Sequence, residues 1–565
     1  MKVSAGFLFL AFAVVALAGC AENSDEANGQ NVASRPFDAT TLSPAIHAML
    51  PAEEVWVTAS DGQRINNVVY RPDTEEEVPV FINFSPYWAD SAMVEGDAFS
   101  TYMIQEYVPR GFAVVLSAIR GTGHSEGCFP IGGDRESLDL NEVVEFFSKE
   151  SWSNGNIAAG GKSYDSTSQN GLIAKFPHPA LKGLFHVSGI TDLYRYTMHD
   201  GVPYGSGSRT LSFTPSYYAL EGLNEYVDVT TGAGDTSNED AESLARLIDD
   251  AACAEVPGHL ANPAASAALG VKTAYWQERD YTAFLASSSW QGSIFFVHGL
   301  QDWNVQPDHI QPWLDIVQNK GGIEVVGWLH QWQQDGTGHV YPMRTDWNET
   351  MLRWMDGVLK GNDVAMASLN GYESMADDGL FRRSAAWPPA SPTTLRLADA
   401  EVACNSTCSI QDVPLLEAGA QAVRLAGAPT IQLRVQAQVP DPTLTVVLFK
   451  ENATGRSWVG EGAMRLLLRD SLATPNPVVV GERYTARITL YPLDAVLQPG
   501  ERWVLSFGAA PTQGLASATQ SLSAVPAYPG DVFYEPTTAI VTATLLDPAV
   551  GLLNPQPEPM KCFTC

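Results

Sequence analysis

The sequence predicts an α/β domain built on a mostly parallel sheet, interrupted by an inserted helical cap and followed by an all-β sandwich. Three observations support this prediction. Apolar strand-like runs alternate with helix-like segments from residue 55 to about residue 200, and the alternation resumes after about residue 281. Between these stretches the pattern of buried strands breaks, and beyond about residue 385 the chain consists of short β-rich runs. Alternating strands and helices form parallel sheets, whereas regularly spaced short strands form sandwiches.

The α/β domain is assigned to residues 46–200 and 281–365. Its helices are LDLNEVVEFFSKE, in which apolar residues recur at helical spacing, and DWNETMLRWMDGVLKG, which ends at Gly361. Its buried strands are six apolar runs, in chain order VPVFINFSPYW, GFAVVLSAIRG, IAA, LKGLFHVSG, SIFFVHG and IEVVGWLH.

The sequence patterns of the cap and the sandwich differ from that of the α/β domain. In residues 201–280 the segment NEDAESLARLIDDAACAEV has helical spacing, which indicates a helical cap inserted into the α/β domain. Residues 385–565 contain β-rich runs separated by Pro and Gly turns, which predict the sandwich. These runs are TIQLRVQAQV, TLTVVLFK, RYTARITLYPL, ERWVLSFGA and TAIVTATLL.

Length and charge narrow the function classes. A chain of 565 residues needs more than one hydrophobic core, and 45% hydrophobic residues are typical of a globular protein. The 33 Lys and Arg residues against 64 Asp and Glu residues give a net charge of -31. Nucleic acid and anionic lipid surfaces bind to clustered cations, so this balance argues against both as partners.

The N-terminus predicts export. MKVSAGFLFLAFAVVALAGC combines Lys2 with an apolar run over residues 7–17 that is too short to span a membrane, so residues 1–20 are predicted to be a signal peptide. LAGC is similar to a bacterial lipobox, which makes Cys20 the expected lipid-modified first residue of the mature protein. Ordinary cleavage at a small-residue site is the alternative. Residues 21–45 are predicted to form a flexible tether, which places the protein in the bacterial cell envelope, anchored by lipid.

The other cysteines fit an oxidising compartment. Their number is even, and disulfides are therefore expected. The predicted pairs are Cys404 with Cys408, Cys562 with Cys565 and, by elimination, Cys128 with Cys253. The two close pairs leave metal binding or redox chemistry as an alternative, although no histidine cluster accompanies them.

The stretch IAAGGKSYDSTSQNG places Ser163 in a tight turn between a predicted strand and a helix. Gly160 and Gly161 allow so sharp a turn. In a Gly-x-Ser-x-Gly elbow the strained turn exposes the serine hydroxyl beside backbone N–H groups at the start of a helix. Here Asp165 replaces the second glycine, and Ser166 follows it. The stretch by itself therefore fits either a buried-turn serine or a nucleophile.

Two further residues suit a nucleophilic serine. Such a serine needs a base, an acid to orient the base and donors for an oxyanion, and on an α/β sheet these lie on loops at the carboxyl ends of strands. Asp302 follows the strand SIFFVHG, and His339 lies in a glycine-containing loop after IEVVGWLH. The order Ser163, Asp302, His339 is that of the α/β-hydrolase triad.

Each of these assignments has a rival. Asp308 competes with Asp302, which is closer to the strand end, and His330 competes with His339. Because His330 lies on or at the end of its strand, we expect its side chain to be packed there. We predict that His124 and His298 are structural.

Several segments resemble the Xaa-Pro dipeptidyl-peptidase family of serine hydrolases and its cocaine-esterase and glutaryl-acylase relatives. The resemblance covers nearly the whole chain from about residue 55, and it implies an α/β-hydrolase domain followed by a jelly-roll domain. The segments are FSPYW, RGFAVVLSAIRGTGHSEGCF, WSNGNIAAGGKSYDST, YWQERDY, VHGLQDWNV, GHVYP, IQLRVQAQVPDPTLTVVLFK and YPLDAVLQPGERWVLSF.

The resemblance implies roles for particular residues. It makes Ser163 the nucleophile, Asp302 the acid and His339 the base, with no metal or organic cofactor. The hydroxyl of Tyr87 and the backbone N–H of Tyr164 are implied to form the oxyanion hole, and a phenol that follows a buried strand is a suitable neutral donor. Packing of Tyr87 beside its tryptophan neighbour is the alternative. The family usually has glycine where this chain has Ser166, so tighter packing is expected behind the nucleophile.

The implied reaction is acyl transfer to Ser163, and the motifs GKSY and HGLQDWNV favour release of Xaa-Pro dipeptides from peptide N-termini. Such an enzyme must bind the substrate's ammonium group, for which the candidate acids are Glu278, Asp280, Glu221 and Glu225. An esterase or acylase for small acyl substrates is the alternative. A non-catalytic surface protein is a remote alternative, and the presence of all three triad residues argues against it. A homo-oligomer is left open.

Overall fold

The structure, a computed structural model, describes most of the chain. Cys20, Tyr87 and His339 lie outside the described residues, as does most of the predicted cap. The described ranges are 39–86, 98–203, 270–302, 305–331, 344–369, 371–404, 406, 408–509 and 530–558.

A ten-stranded sheet organises the first domain. Its strand order is β1-β2-β4-β3-β5-β6-β9-β10-β11-β12, and every pair from β4 to β11 is parallel, with antiparallel strands at both edges. This confirms the predicted mostly parallel sheet. The strands are β1 (Glu53–Thr58), β2 (Arg64–Tyr70), β3 (Val78–Ser85), β4 (Ala113–Ala118), β5 (Ser153–Lys162), β6 (Leu181–Val187), β9 (Gly292–Gly299), β10 (Ile323–His330), β11 (Gly371–Met375) and β12 (Phe381–Ser384), while β7 (Met198–His199) and β8 (Val202–Pro203) form a separate hairpin.

Helices cover both faces of this sheet. On β3, Ile82 belongs to the apolar core that includes α2, α3 and α7, whereas Phe81 belongs to the core that includes α1 and α8. Successive side chains of a strand point to opposite faces, so two layers of helices are required to bury them. The helices are α1 (Ala98–Tyr107), α2 (Asp134–Ser148), α3 (Thr167–Lys175), α4 (Leu193–Thr197), α5 (Ala274–Glu278), α6 (Tyr281–Leu285), α7 (Ile310–Asn319), α8 (Trp347–Lys360) and α9 (Asp363–Ala367).

The second domain is the predicted β-sandwich. One sheet has the order β13-β22-β16-β19 with β20 also paired to β16, and the other has the order β14-β15-β21-β17-β18. The first domain continues past its predicted end at residue 365, because β11 and β12 belong to its sheet. The sandwich strands are β13 (Thr393–Arg396), β14 (Ala403–Cys404), β15 (Gln411–Glu417), β16 (Val423–Ala437), β17 (Thr443–Asn452), β18 (Gly455–Arg465), β19 (Arg483–Thr489), β20 (Leu493–Leu497), β21 (Arg502–Phe507) and β22 (Val532–Leu546).

The two ends of the predicted cap meet at a narrow neck. A Cβ atom added to Gly270 would lie 2.1 Å from the carbonyl oxygen of Gly201. Nearby, Lys272 Nζ lies 2.6 Å from Asp192 Oδ2 and 2.6 Å from Asp280 Oδ2. The chain therefore leaves the first domain and re-enters it at almost the same point.

The imidazole of His199 joins the two domains. Its Nδ1 lies 3.1 Å from Asp308 Oδ2, and its Nε2 lies 3.3 Å from the carbonyl oxygen of Thr489 in the sandwich. Both of these oxygens are acceptors, so the arrangement suits an imidazole that is protonated on both nitrogens. Burial by itself lowers the pKa of His199, but the hydrogen bond to Asp308 and the charge of Asp200 outweigh it and leave the pKa above its ordinary value.

A buried ion pair fixes the other end of the domain interface. Arg424 donates hydrogen bonds to both carboxylate oxygens of Asp494, at 2.7 and 2.6 Å, and a third at 2.8 Å to Ser374 Oγ on β11. Gln331, directly after β10, donates to the carbonyl oxygen of Asp494 at 3.0 Å. The sandwich thus packs against the carboxyl ends of β10 and β11.

The cysteine predictions have mixed outcomes. Cys128 is disulfide-bonded, but Cys253 lies outside the described residues, so their pairing stays a prediction. Cys404 and Cys408 are exposed free thiols, and the hydrogen bond with Cys408 raises the pKa of Cys404. The two sulfurs are joined by that hydrogen bond instead of a covalent bond, so the predicted Cys404–Cys408 disulfide is wrong for this structure.

None of the helices in the described residues is long and apolar enough to span a membrane. In the same ranges, no group of three or more His, Cys, Asp or Glu side chains is arranged to hold a metal ion. The Cys562 and Cys565 pair lies outside those ranges.

Candidate active site

Ser163 occupies a strained turn at the carboxyl end of β5. Its φ is 62°, in the left-handed region that residues with a Cβ rarely adopt. A 3-10 turn over Ser163–Ser166 follows, and α3 begins at Thr167. This is the strand, sharp turn and helix that the sequence predicts, with the serine at the residue that carries the strain.

Close backbone approach explains the glycines around this turn. A Cβ atom on Gly161 would lie 2.5 Å from the Cβ of Asp165, and a Cβ atom on Gly189 would lie 2.5 Å from the Cβ of Ser166. Real Cβ atoms do not approach so closely, so the turn fits against β6 and the following loop only with glycine at these positions.

Ser166 ties the turn to the sheet. Its hydroxyl donates a hydrogen bond to the carbonyl oxygen of Gly161 and accepts one from the backbone N–H of Val187 at 3.1 Å. Because Val187 is the last residue of β6, Ser166 links the turn to the neighbouring strand.

Tyr164, the next residue after Ser163, is anchored by its side chain. The phenol donates a hydrogen bond to Glu136 Oε2 at 2.9 Å, and its ring centroid lies 5.5 Å from that of Phe129. The backbone N–H of Tyr164 begins the 3-10 turn directly after the strained residue. That position suits a donor to an oxyanion formed at Ser163.

The order of strands β4, β3 and β5 creates the site. The chain passes from β3 to β4 on one side of β3, whereas β5 lies on the other side, with Ile82 opposite Ala159. In open α/β sheets, ligands bind at the carboxyl ends of strands where the order reverses in this way. The loops after β3 and β5 both begin at this point. Tyr87 follows the end of β3 by two residues, outside the described residues.

Asp302 closes the loop that follows β9. Its side chain is fully buried, and Oδ1 accepts a hydrogen bond from the backbone N–H of Val305 at 3.0 Å. His298, within β9, donates from Nε2 to the carbonyl oxygen of the same Val305 at 2.9 Å. The structure therefore places Asp302 at a strand end, as predicted, and gives His298 a structural hydrogen bond.

The rival residues hold other positions. Asp308 accepts a hydrogen bond from His199, and His330 is the last residue of β10, buried and in register with Gly299. His339 comes nine residues later and lies outside the described residues, so its assignment as the base stays a prediction.

Further histidines lie buried near the carboxyl ends of β6 and β9. Burial, together with the charge of His298, lowers the pKa of His186 to about 3. Burial also holds the pKa of His309 well below its ordinary value. In both rings burial therefore favours the neutral form.

Two of the four acids predicted to bind an ammonium group already have partners. Glu278 accepts a hydrogen bond from the backbone N–H of Asp134 at 3.1 Å and pairs with Arg279 at 3.2 Å. Asp280 pairs with Lys272, and its Oδ1 accepts from the first turn of α6. The other two acids, at positions 221 and 225, lie outside the described residues.

Sequence reasoning missed two buried acids beside the site. Asp192 follows β6 by five residues, and burial raises its pKa to about 6 although Lys272 opposes the shift. Its position after a strand end was a usable signal, the same one that identified Asp302. Glu136 lies on the apolar stripe of α2 together with Leu140 and other core residues, and a carboxylate on such a stripe was the signal there.

Two family profiles match this chain, one in the first domain and one in the sandwich. The profile of the X-Pro dipeptidyl-peptidase (S15 family) matches residues 61–334. The profile of the X-Pro dipeptidyl-peptidase C-terminal non-catalytic domain matches residues 417–522, within the sandwich.

Two bacterial relatives are provisionally named Xaa-Pro dipeptidyl-peptidases. The one from Bacillus anthracis is 24% identical over 527 residues, which covers 82% of this chain and 83% of the relative. The one from Streptomyces avermitilis is 28% identical over 387 residues, which covers 61% of this chain and 51% of the relative. This chain thus matches about half the length of the Streptomyces protein.

Solved structures show the same fold at low sequence identity. A CocE/NonD family hydrolase from Staphylococcus aureus has a TM-score of 0.63 at 17% identity, covering 89% of this chain and 92% of its own. An aminopeptidase from a marine sediment archaeon, Thaumarchaeota archaeon, has a TM-score of 0.61 at 15% identity, covering 95% and 98%. These likenesses confirm the α/β-hydrolase domain with a C-terminal β-rich domain.

The packing of Ser166 against Gly189 gives a test of the turn. We expect Gly189→Ala to lower the free energy of unfolding by about 1–3 kcal/mol, because the new methyl group overlaps Ser166 and the ring of His186. In Gly189→Ala combined with Ser166→Gly, the second change removes one of the two overlaps, so the combined loss should be smaller than the sum of the single losses.

Denaturant unfolding of the four proteins in this cycle measures the coupling. Gly321→Ala is the matched control, because a Cβ atom there meets nothing within 4 Å. Additive losses, or a Gly189→Ala protein as stable as the unchanged one, would contradict this account of the turn.

Proposed function

Since this chain belongs to the Xaa-Pro dipeptidyl-peptidase and cocaine-esterase-like family of serine hydrolases, we propose that it releases Xaa-Pro dipeptides from peptide N-termini through an acyl-enzyme at Ser163. The observation that carries the proposal is the left-handed backbone of Ser163 at the end of β5, where the strand order reverses. A serine held in this way presents its hydroxyl to the site where substrates bind on α/β sheets.

The proposed reaction has two stages. Ser163 Oγ attacks the carbonyl carbon of the scissile amide while His339 takes the hydroxyl proton, and the oxyanion accepts hydrogen bonds from the N–H of Tyr164 and the hydroxyl of Tyr87. The tetrahedral intermediate then expels the amine, which receives the proton from His339. Water, deprotonated by the same histidine, attacks the acyl-enzyme and releases the acyl product and free Ser163.

Asp302 supports the histidine in this proposal. A buried carboxylate orients the imidazole and stabilises the imidazolium that forms during the reaction. Asp302 is fully buried, and its loop is closed by the hydrogen bonds of Val305. β9 and β10 are adjacent and parallel, so the loops that carry Asp302 and His339 start from neighbouring strand ends.

The peptidase reading depends on recognition of the substrate's free ammonium group. Glu278 and Asp280 are engaged with cations and backbone N–H groups, which leaves Glu221 and Glu225 of the four candidate acids. An acid that pairs with the ammonium group in a water-excluded pocket contributes a charge-assisted hydrogen bond. An esterase or acylase has no such requirement, and this difference separates the two readings.

We also propose that the mature protein is held to the bacterial envelope through a lipid on Cys20. The support is the sequence alone: the apolar run over residues 7–17, the lipobox-like LAGC and the polar tether that follows. The net charge of -31 disfavours binding to anionic lipid through the protein surface, so attachment would depend on the covalent lipid.

The first test concerns the triad. Ser163→Ala should leave a folded protein whose kcat falls by roughly 10⁴-fold or more, because triad members act as a unit. His339→Ala should abolish labelling by a fluorophosphonate probe, whereas His330→Ala should slow the labelling less. A folded Ser163→Ala protein with nearly full activity would refute the nucleophile, and the opposite ranking of the histidines would make His330 the base.

The second test compares substrates with free and blocked N-termini. Acetylation of an Ala-Pro anilide should lower kcat/KM by about two orders of magnitude, because the ammonium contact is lost. Glu221→Gln and Glu225→Gln should show which acid makes that contact, since the correct variant would narrow the gap between the two substrates. Equal hydrolysis of both anilides, or turnover of short-chain esters alone, would replace the peptidase reading with the esterase one.

The third test concerns the anchor. Mass analysis of the protein from a bacterial host should find an N-terminal Cys20 that carries two or three acyl chains. Cys20→Ser should release the protein from the membrane fraction, because no lipid can be attached. An unmodified N-terminus in the membrane-bound wild-type protein would contradict the proposal.

A further inference from the structure

Glu136 is a buried carboxylate with three hydrogen-bond donors. It lies in the first turn of α2 with no exposed surface. Oε2 accepts from the Tyr164 hydroxyl at 2.9 Å and from the backbone N–H of Gly132 at 2.9 Å, and Oε1 accepts from the Ser168 hydroxyl. An ionised carboxylate is an acceptor only, and it suits a site that offers three donors.

Burial of this carboxylate is unfavourable by itself. Desolvation raises the pKa of Glu136 above its ordinary value, against the opposing effect of its hydrogen bonds and of the Arg279 charge. An apolar residue at this position would continue the core stripe of α2 without that cost. The three hydrogen bonds offset this desolvation, so the carboxylate and its donors form one buried unit.

Two of the three donors belong to the segment that carries the nucleophile. Tyr164 follows Ser163 directly, and Ser168 is the second residue of α3. A single carboxylate on α2 thus holds both the strained turn and the helix that follows it. A residue in the left-handed region keeps its conformation only when its surroundings fix it, and Glu136 contacts both the turn and the helix from outside the segment.

The hydrogen bond to Tyr164 bears on the direction of a backbone N–H. The peptide plane between Ser163 and Tyr164 can rotate about the adjoining backbone bonds of both residues. The hydrogen bond that anchors the Tyr164 phenol restricts this rotation at the Tyr164 end. An oxyanion donor is effective when it is aimed in advance at the position that the oxyanion will occupy. Without the hydrogen bond to the phenol, the Tyr164 N–H would still be a donor, but it would be less well aligned with the oxyanion.

We propose that Glu136 is a positioning residue, which holds the Tyr164 N–H toward the oxyanion through the Tyr164 and Ser168 side chains. The proposal rests on the acyl-enzyme mechanism at Ser163 described above. The competing role is purely structural, in which Glu136 only joins α2 to α3. Loss of a positioning role would lower kcat, whereas loss of a purely structural role would lower the stability of the fold.

The test uses Tyr164→Phe, Ser168→Ala and Glu136→Gln. Tyr164→Phe removes one hydroxyl and keeps the backbone N–H, so it is the sharpest of the three. We expect Tyr164→Phe and Glu136→Gln to lower kcat by about tenfold to a hundredfold with KM changed less than about twofold, since loss of a complete oxyanion donor costs about 10²–10³. Ser168→Ala should have a smaller effect of the same kind. The affinity of a peptide boronate, which forms a tetrahedral adduct with a serine, should fall in parallel with kcat.

Asp139→Asn is the matched control. Asp139 is equally buried on the same helix, but it pairs with Arg120 and Arg135 and has no contact with the nucleophile turn. We expect this variant to lower the melting temperature and to leave kcat and boronate affinity unchanged while folded. An unchanged kcat in folded Tyr164→Phe, or the same loss of kcat in Asp139→Asn, would overturn the positioning role.

Fluorophosphonate labelling separates this inference from the proposed mechanism. Labelling of the wild-type protein but not of Ser163→Ala supports the mechanism whichever substrate is used. If labelling and turnover both depend on Ser163 but Tyr164→Phe has the same kcat as the wild type, only the positioning role is refuted. If Ser163→Ala keeps its activity, the mechanism fails and the positioning role fails with it. Should Glu136→Gln not fold, Tyr164→Phe and Ser168→Ala decide the question.

Discussion

The backbone of Ser163 is the constraint on which the rest of the first domain depends. A φ of 62° at a residue with a Cβ costs of order 1–3 kcal/mol, and it persists only where neighbouring groups leave no alternative. β5 lies between β3 and β6 at the centre of the sheet, so both sides of the turn meet fixed backbone. Ser166 holds the turn to β6, and Glu136 holds it to α2. The strained turn at Ser163 is thus held from two sides.

The parallel sheet turns residues that are far apart in sequence into neighbours. Asp302 is 139 positions after Ser163, yet β5 and β9 are separated only by β6, or about 10 Å at the usual strand spacing. Both backbone groups of Val305 are hydrogen-bonded there, the N–H to Asp302 Oδ1 and the carbonyl oxygen to His298 Nε2. The positions of Ser163 and Asp302 are therefore set by the central strands of the sheet.

The sequence predicted the strands well because their apolar runs are long and buried, as at β9 and β10, and because the glycines before Ser163 mark a turn. It did not predict β11 and β12, which are short and partly polar strands at one end of the strand order. Nor did it predict Glu136 or His199, because each depends on partners from distant segments: Tyr164 for the first, and Asp308 and Thr489 for the second. Cysteine spacing predicted a bond between Cys404 and Cys408, but spacing alone does not fix whether two nearby sulfurs are joined.

The neck formed by Gly201 and Gly270 has a consequence for the length of the segment between them. Both ends of the inserted segment are fixed there, by the close approach of the two glycines and by Lys272 between Asp192 and Asp280. The sheet needs only that these ends meet, and loop-closure cost rises slowly with length, so a change in the length of the segment between them costs the framework that holds Ser163 little.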